Sequence, residues 1–163
     1  MDSLPVFVAD WEMQCCGEPF SIGTEVRWRL EFLYEDEISA PIEALLPPDS
    51  VVTAAATASI ADPDAAEGLR GVLNATWHGT GGDRPTPPVA GTVRRIRLVR
   101  QFTVREDRLV TVIRVGARLT ELTTSRDRFA RGSMRTPEGS WEETGLLVDL
   151  ATDLGEVIAS VSG

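Results

Sequence analysis

In the stretch DWEMQCCGEPF, residues 10 to 20, two thiols stand side by side at Cys15 and Cys16, with Asp10, Glu12 and Glu18 close by in sequence. The chain has no other cysteine, and His78 is its one histidine. Thiolate is both a strong nucleophile and a soft metal ligand, and imidazole serves as base or ligand near neutral pH. Two chemistries follow from these residue types. Cys16 as nucleophile, His78 as base and Glu12 or Glu18 as orienter has the make-up of a thiol-dependent catalytic set. Cys16, His78 and a carboxylate from Asp10 or Glu12, with water in the fourth position, has the make-up of a tetrahedral metal site.

Against both stands a plainer reading. Apolar and polar residues alternate from Val6 to Cys15, which predicts a half-buried strand closed by the turn at Gly17, Glu18 and Pro19. An extended chain sends adjacent side chains to opposite faces. Cys15 is then a small core residue, Cys16 shares a face with Asp10, Glu12 and Gln14, and His78 borders a turn before Gly79. A Cys15–Cys16 disulfide is not expected to persist, because neighbouring Cα atoms lie about 3.8 Å apart whereas disulfides usually need about 4.4 to 6.8 Å. Nor is the spacing the CxxC of redox enzymes.

Other chemistry is excluded by composition. All 16 cationic side chains are arginine, and a chain without lysine has no Walker loop, Schiff base or Ser-Lys dyad. One histidine rules out a multi-histidine zinc site. The glycines of TGGDRPTPP are followed by prolines where a dinucleotide-binding helix would have to begin. The four tryptophans, Trp11, Trp28, Trp77 and Trp141, fit core or rim positions on strands.

The elements that must position these residues are mostly short strands. Thr24 to Leu33 alternates cleanly, after a second turn at Ser21, Ile22 and Gly23. Residues 35–90 read as an irregular inserted segment: a short capped helix near IEALL, a possible strand in SVVTAAATASI, a weak helix after Asp62 and a strand in LNATWHG. Gly91 opens a hairpin that turns at residues 105–108, and a parity change between Val93 and Ile96 predicts a bulge. Residues 123–144 read as a long polar loop, and GLLVDL, 145–150, as a final buried strand. The expected fold is all-β, or mainly β with one or two short helices: a small SH3-like or OB-like barrel or sandwich, in a single domain of 163 residues.

Charge is unevenly placed. Residues 84–135 carry 13 Arg against 4 acids, while the net charge of the whole chain is -9. Such a block can face a polyanion or pair with acidic neighbours across strands; the acidic remainder disfavours nucleic acid as a partner. The opening MDSLPVFVADWE lacks a basic n-region and no apolar run reaches membrane-spanning length, so the expected location is the cytoplasm, with no membrane partner.

The stretch WEMQCCGEPFSIGTEVRW (11–28), with WHG (77–79) and GTVRRI (91–96), resembles an uncharacterised family of small acidic bacterial proteins with a WxMQCCGxPFxxGxxVxW signature. That family is a domain of unknown function, so the resemblance implies no activity and no cofactor. It directs attention to Gln14, Cys15, Cys16, Gly17, Pro19, Phe20 and His78. The function expected from these readings is a non-enzymatic module that binds another protein through Gln14, Cys15, Cys16, Gly17, Glu18, Pro19 and Phe20, without a cofactor. The alternatives are a thiol- or metal-dependent enzyme or sensor built on Cys16 and His78, and nucleic-acid binding by the arginine block.

Overall fold

The computed structural model describes residues 2–34, 52–53, 70–78, 87–106, 111–130 and 134–161. In chain order these form β1 (Asp2–Ala9), α1 (Asp10–Cys15), β2 (Glu25–Tyr34), β3 (Val52–Thr53), β4 (Arg70–Thr76), β5 (Val89–Glu106), β6 (Thr111–Leu122), β7 (Met134–Arg135), β8 (Ser140–Thr152) and α2 (Leu154–Val161). The strands share one sheet in the order β6-β5-β2-β4-β1-β8-β7, with β3 on β4. Because β5 also pairs β8, the strands β5-β2-β4-β1-β8 close in a ring, which leaves those five without a free edge. The mainly β class with two short helices is the one expected from sequence. No helix among the described residues is long and apolar enough to cross a membrane.

Alternation builds the interior. Leu4, Val6 and Val8 of β1, Val26, Trp28 and Leu30 of β2, Leu73 and Ala75 of β4, and Leu146, Val148 and Leu150 of β8 all point into one buried cluster. The turn before β2 depends on Gly23, whose φ of 88° is open to glycine and strained for most other residues. Strand β5 is long enough to serve two partners in succession. Residues 89–92 pair β2, whereas from Ile96 onward the strand pairs β6. Its register against β8 shifts between Val93 and Arg95, where the exchange of partners falls, so the bulge expected from the parity change is present.

Three differences from the sequence reading matter for the site. The chain does not run extended from Val6 to Cys15: the strand stops at Ala9 and α1 follows. Buried Asp10 and Met13 lie one helical turn apart, and the acidic Asp10 and Glu12 suit the positive end of a helix. Over so few residues a strand's alternation and a helix's turn select overlapping sets, so the pattern alone does not separate them. The last strand starts at Ser140, inside the segment read as a loop, and β7 lies there too. Helix α2 was not anticipated, although Asp153 followed three residues later by Glu156 is an N-terminal signature; Asp153 Oδ1 accepts the Glu156 N–H at 3.0 Å. The helices expected near IEALL and after Asp62 lie outside the described residues, as does SVVTAAATASI apart from Val52 and Thr53 of β3.

Candidate functional site

The site is assembled by one strand pair. Strands β1 and β4 run parallel, with Val6 opposite Leu73 and Phe7 opposite Asn74, while the other pairings among the described strands are antiparallel. Parallel strands end on the same side of a sheet. The segment leaving β1 is α1 and the segment leaving β4 is Trp77–His78, so residues more than 60 positions apart in sequence become neighbours.

Helical spacing does the rest. Glu12, Cys15 and Cys16 stand at i, i+3 and i+4, which places them on one face. The Glu12 carbonyl accepts the N–H of both Cys16 (3.0 Å) and Gly17 (2.9 Å), winding the helix end tightly. A Cβ on Gly17 would lie 2.6 Å from Met13 Sδ and 2.8 Å from Met13 Cα, so the turn closes only on glycine. Cys16 caps the helix at φ −145°, ψ −8°.

Both sulfurs therefore face the same way. Cys15 and Cys16 are joined by a disulfide, their Cα atoms 3.8 Å apart. This corrects the expectation of sulfurs on opposite faces: the premise was an extended backbone, and the backbone here is a helix end. Cys15 is exposed rather than part of the core. His78 Nε2 lies 3.1 Å from Cys15 Sγ and 3.5 Å from Cys16 Sγ.

Behind the imidazole stands a buried carboxylate. Glu12 is 1% exposed, and His78 Nδ1 lies 3.0 Å from its Oε2. Thr76 Oγ1 donates to Glu12 Oε1 at 3.0 Å and the Trp77 N–H donates to Oε2 at 3.1 Å. The carboxylate is thus stabilised by several donors, as a buried charge must be. It fixes Nδ1 as the protonated ring nitrogen and aims Nε2 at the sulfurs. Trp11, 52% exposed, leans on the His78 ring with centroids 5.1 Å apart. On the inner side Trp28 packs edge-on to both Trp77 and Phe20, tying the site to the core.

The residues singled out from sequence separate into three groups. Cys15, Cys16 and His78 come together, with Glu12 as orienter. Gln14, Glu18 and Pro19 are exposed around them, and Gly17 is half-buried. Phe20 is buried at 3% and supports the turn from beneath, while Asp10, 4% exposed, accepts the Trp11 N–H at the start of α1. Thr76 was missed; nothing in the sequence marks it without the pairing of β1 and β4.

The described residues form a mainly β ring with an exposed cysteine pair and an imidazole at one end of its parallel strands. The chain belongs to the family of unknown function DUF6578, whose model matches residues 2–152, from the start of β1 to the end of β8. No curated protein and no solved structure matches it.

Proposed function

We propose that the protein is a thiol–disulfide exchange module in which Cys15 and Cys16 cycle between dithiol and disulfide, with His78 as base and Glu12 as its orienter. The observation that carries the reading is His78 Nε2 at 3.1 and 3.5 Å from the two sulfurs, with Nδ1 anchored on a buried carboxylate. In the dithiol state Nε2 takes the proton of the nearer thiol, Cys15. The thiolate attacks a sulfur of a small disulfide such as oxidised glutathione, and one glutathione thiol leaves. Cys16, deprotonated in turn, attacks Cys15 Sγ in the mixed disulfide, forms the Cys15–Cys16 bond and releases the second glutathione thiol. Two electrons pass from the protein to the glutathione disulfide, and the reverse reaction reopens the pair.

The test is mass spectrometry of alkylated protein after treatment with reduced or oxidised glutathione. The reduced chain is expected to take two alkyl groups and the oxidised chain none. Cys16→Ser is expected to accumulate one glutathione adduct. His78→Ala slows exchange roughly 10-fold, since an ordinary thiol is already a few per cent thiolate near neutrality and the base cannot contribute more than that deficit allows. An unchanged rate in His78→Ala together with no adduct on Cys16→Ser sinks the reading.

A second reading uses the same surface without chemistry. Trp11, a large apolar side chain 52% exposed beside the cysteine pair, suits a docked protein partner. On that reading Trp11→Ala abolishes partner capture, and Cys16→Ser leaves it intact.

A further inference from the structure

We propose that the reduced cluster is a metal site in which Cys15 Sγ, Cys16 Sγ and His78 Nε2 hold one thiophilic divalent cation of the zinc type. Closure of the disulfide releases it. The proposal rests on the reading that the Cys15–Cys16 bond opens to a dithiol, and it adds a ligand and a consequence to that reading.

The three ligand atoms lie within 4.8 Å of one another, and all three residues are exposed, so a hydrated ion has a direct way in. Zinc binds sulfur at about 2.3 Å and imidazole nitrogen at about 2.0 to 2.1 Å in tetrahedral geometry, which puts neighbouring ligand atoms roughly 3.5 to 3.8 Å apart. His78 Nε2, at 3.1 and 3.5 Å from the sulfurs, is close to that spacing already. The two sulfurs have to separate, which reduction permits, and Nε2 has to move from Cys15 Sγ by only about 0.4 Å. The ligands also stand on firm supports: the cysteines end a helix packed against the sheet, and the histidine follows a strand inside the ring.

Glu12 takes the part of a positioning carboxylate rather than a ligand. Its oxygens already accept from Thr76, Trp77 and His78. A histidine that ligates through one nitrogen and donates its other N–H to a carboxylate is the arrangement that raises ligand basicity and fixes ring orientation. Two thiolates and an imidazole select a soft or borderline ion over calcium or magnesium. Three protein ligands leave the fourth position to water or an exchangeable group.

The two states exclude each other through shared atoms. Metal binding to the dithiol expels two protons. When oxidised glutathione and two protons meet the metal-bound dithiolate, a sulfur–sulfur bond forms between Cys15 and Cys16, the one in glutathione breaks, and the products are the disulfide, the free cation and two glutathione thiols. By linkage, bound metal protects the pair from oxidation to the extent that oxidation weakens metal binding.

The experiment is an anaerobic titration of the reduced full-length chain with cobalt(II), followed by zinc displacement against a chromophoric chelator. The expected result is one equivalent of cobalt with the intense visible bands of a tetrahedral site and a near-ultraviolet thiolate-to-metal band, both bleached by zinc and abolished by oxidised glutathione. Cys15→Ser, Cys16→Ser and His78→Ala, all at exposed positions, are each expected to weaken binding by more than about 10-fold, and Glu12→Gln by about 10- to 100-fold. A reduced chain whose two thiols alkylate but whose cobalt spectrum stays octahedral overturns the metal site and leaves the exchange reading standing. The same binding by the Cys15→Ser/Cys16→Ser double variant overturns it equally. Zinc binding that survives oxidised glutathione, with both thiols still alkylatable once zinc is removed, supports the metal site and overturns its release by disulfide closure, while exchange is judged on the metal-free chain.

Discussion

At the scale of single residues the site turns on what each atom has left to do. Glu12 is fully committed to its donors, His78 is anchored at Nδ1 and meets the sulfurs through Nε2, and both cysteines are exposed. Gly17 does no chemistry but sets the direction of both sulfurs. Because the clash awaiting a Cβ there includes the Met13 backbone, Gly17→Ala cannot be relieved by a side-chain rotation alone. A loss of about 1 to 3 kcal/mol in thermal or urea denaturation is expected, together with slower thiol exchange; unchanged stability would show that the turn has slack. The reactive residue types were legible in the sequence, since Cys15, Cys16 and His78 are the chain's whole supply of thiol and imidazole. The choice among Asp10, Glu12 and Glu18 was not. It depends on whether Glu12 and the cysteines are counted along a strand or around a helix, and six residues are too few for periodicity to decide.

At the scale of elements, local signals worked where strands were long and failed where helices were short. The alternation of β2 and the parity break in β5 were readable because each face of a strand repeats over many residues. Helix α2 was overlooked because its eight residues follow directly on a buried strand, yet its start is marked chemically. Asp153→Ala removes the acceptor of the Glu156 N–H, and a loss of about 1 kcal/mol is expected, seen as a lowered melting temperature. Asp153→Asn or Asp153→Ser should restore most of it. The Ser160 hydroxyl donates to the Pro87 carbonyl at 2.8 Å, so α2 is held against the segment that enters β5 and its loosening should be felt there.

At the scale of the whole molecule, several arginines of the basic block meet carboxylates that the fold brings beside them. Arg95 pairs with Glu121, Arg97 with Asp149, and Arg100 and Arg126 with Glu143, while the Arg118 guanidinium sits 4.4 Å over the Trp141 ring. At these positions basic and acidic side chains far apart in sequence meet in the fold, a pairing that composition by segment cannot reveal. The Arg95 guanidinium, mainly by hydrogen bonding, holds the Glu121 carboxyl below the usual carboxylate range. A lowered folded-state value means that the pair's stabilisation is present above the ordinary value of about 4.3 and is lost as pH falls through the folded-state value. Glu121→Gln is expected to melt slightly below the parent at neutral pH, with the gap closing in acid; the pair is solvent-exposed, so the gap is small. A gap that widens in acid would contradict the sign.

The parallel docking of β4 on β1 also has a consequence in time. Cys16 and His78 are separated by 62 positions, so during synthesis the sulfurs are made well before their imidazole. At roughly 5 to 20 residues per second, the nascent thiols wait on the order of 3 to 12 seconds for their base to be added, and longer for it to reach them. Any bond or ion they take in that interval is chosen by the cell around the ribosome, and only afterwards does the finished fold begin to govern it.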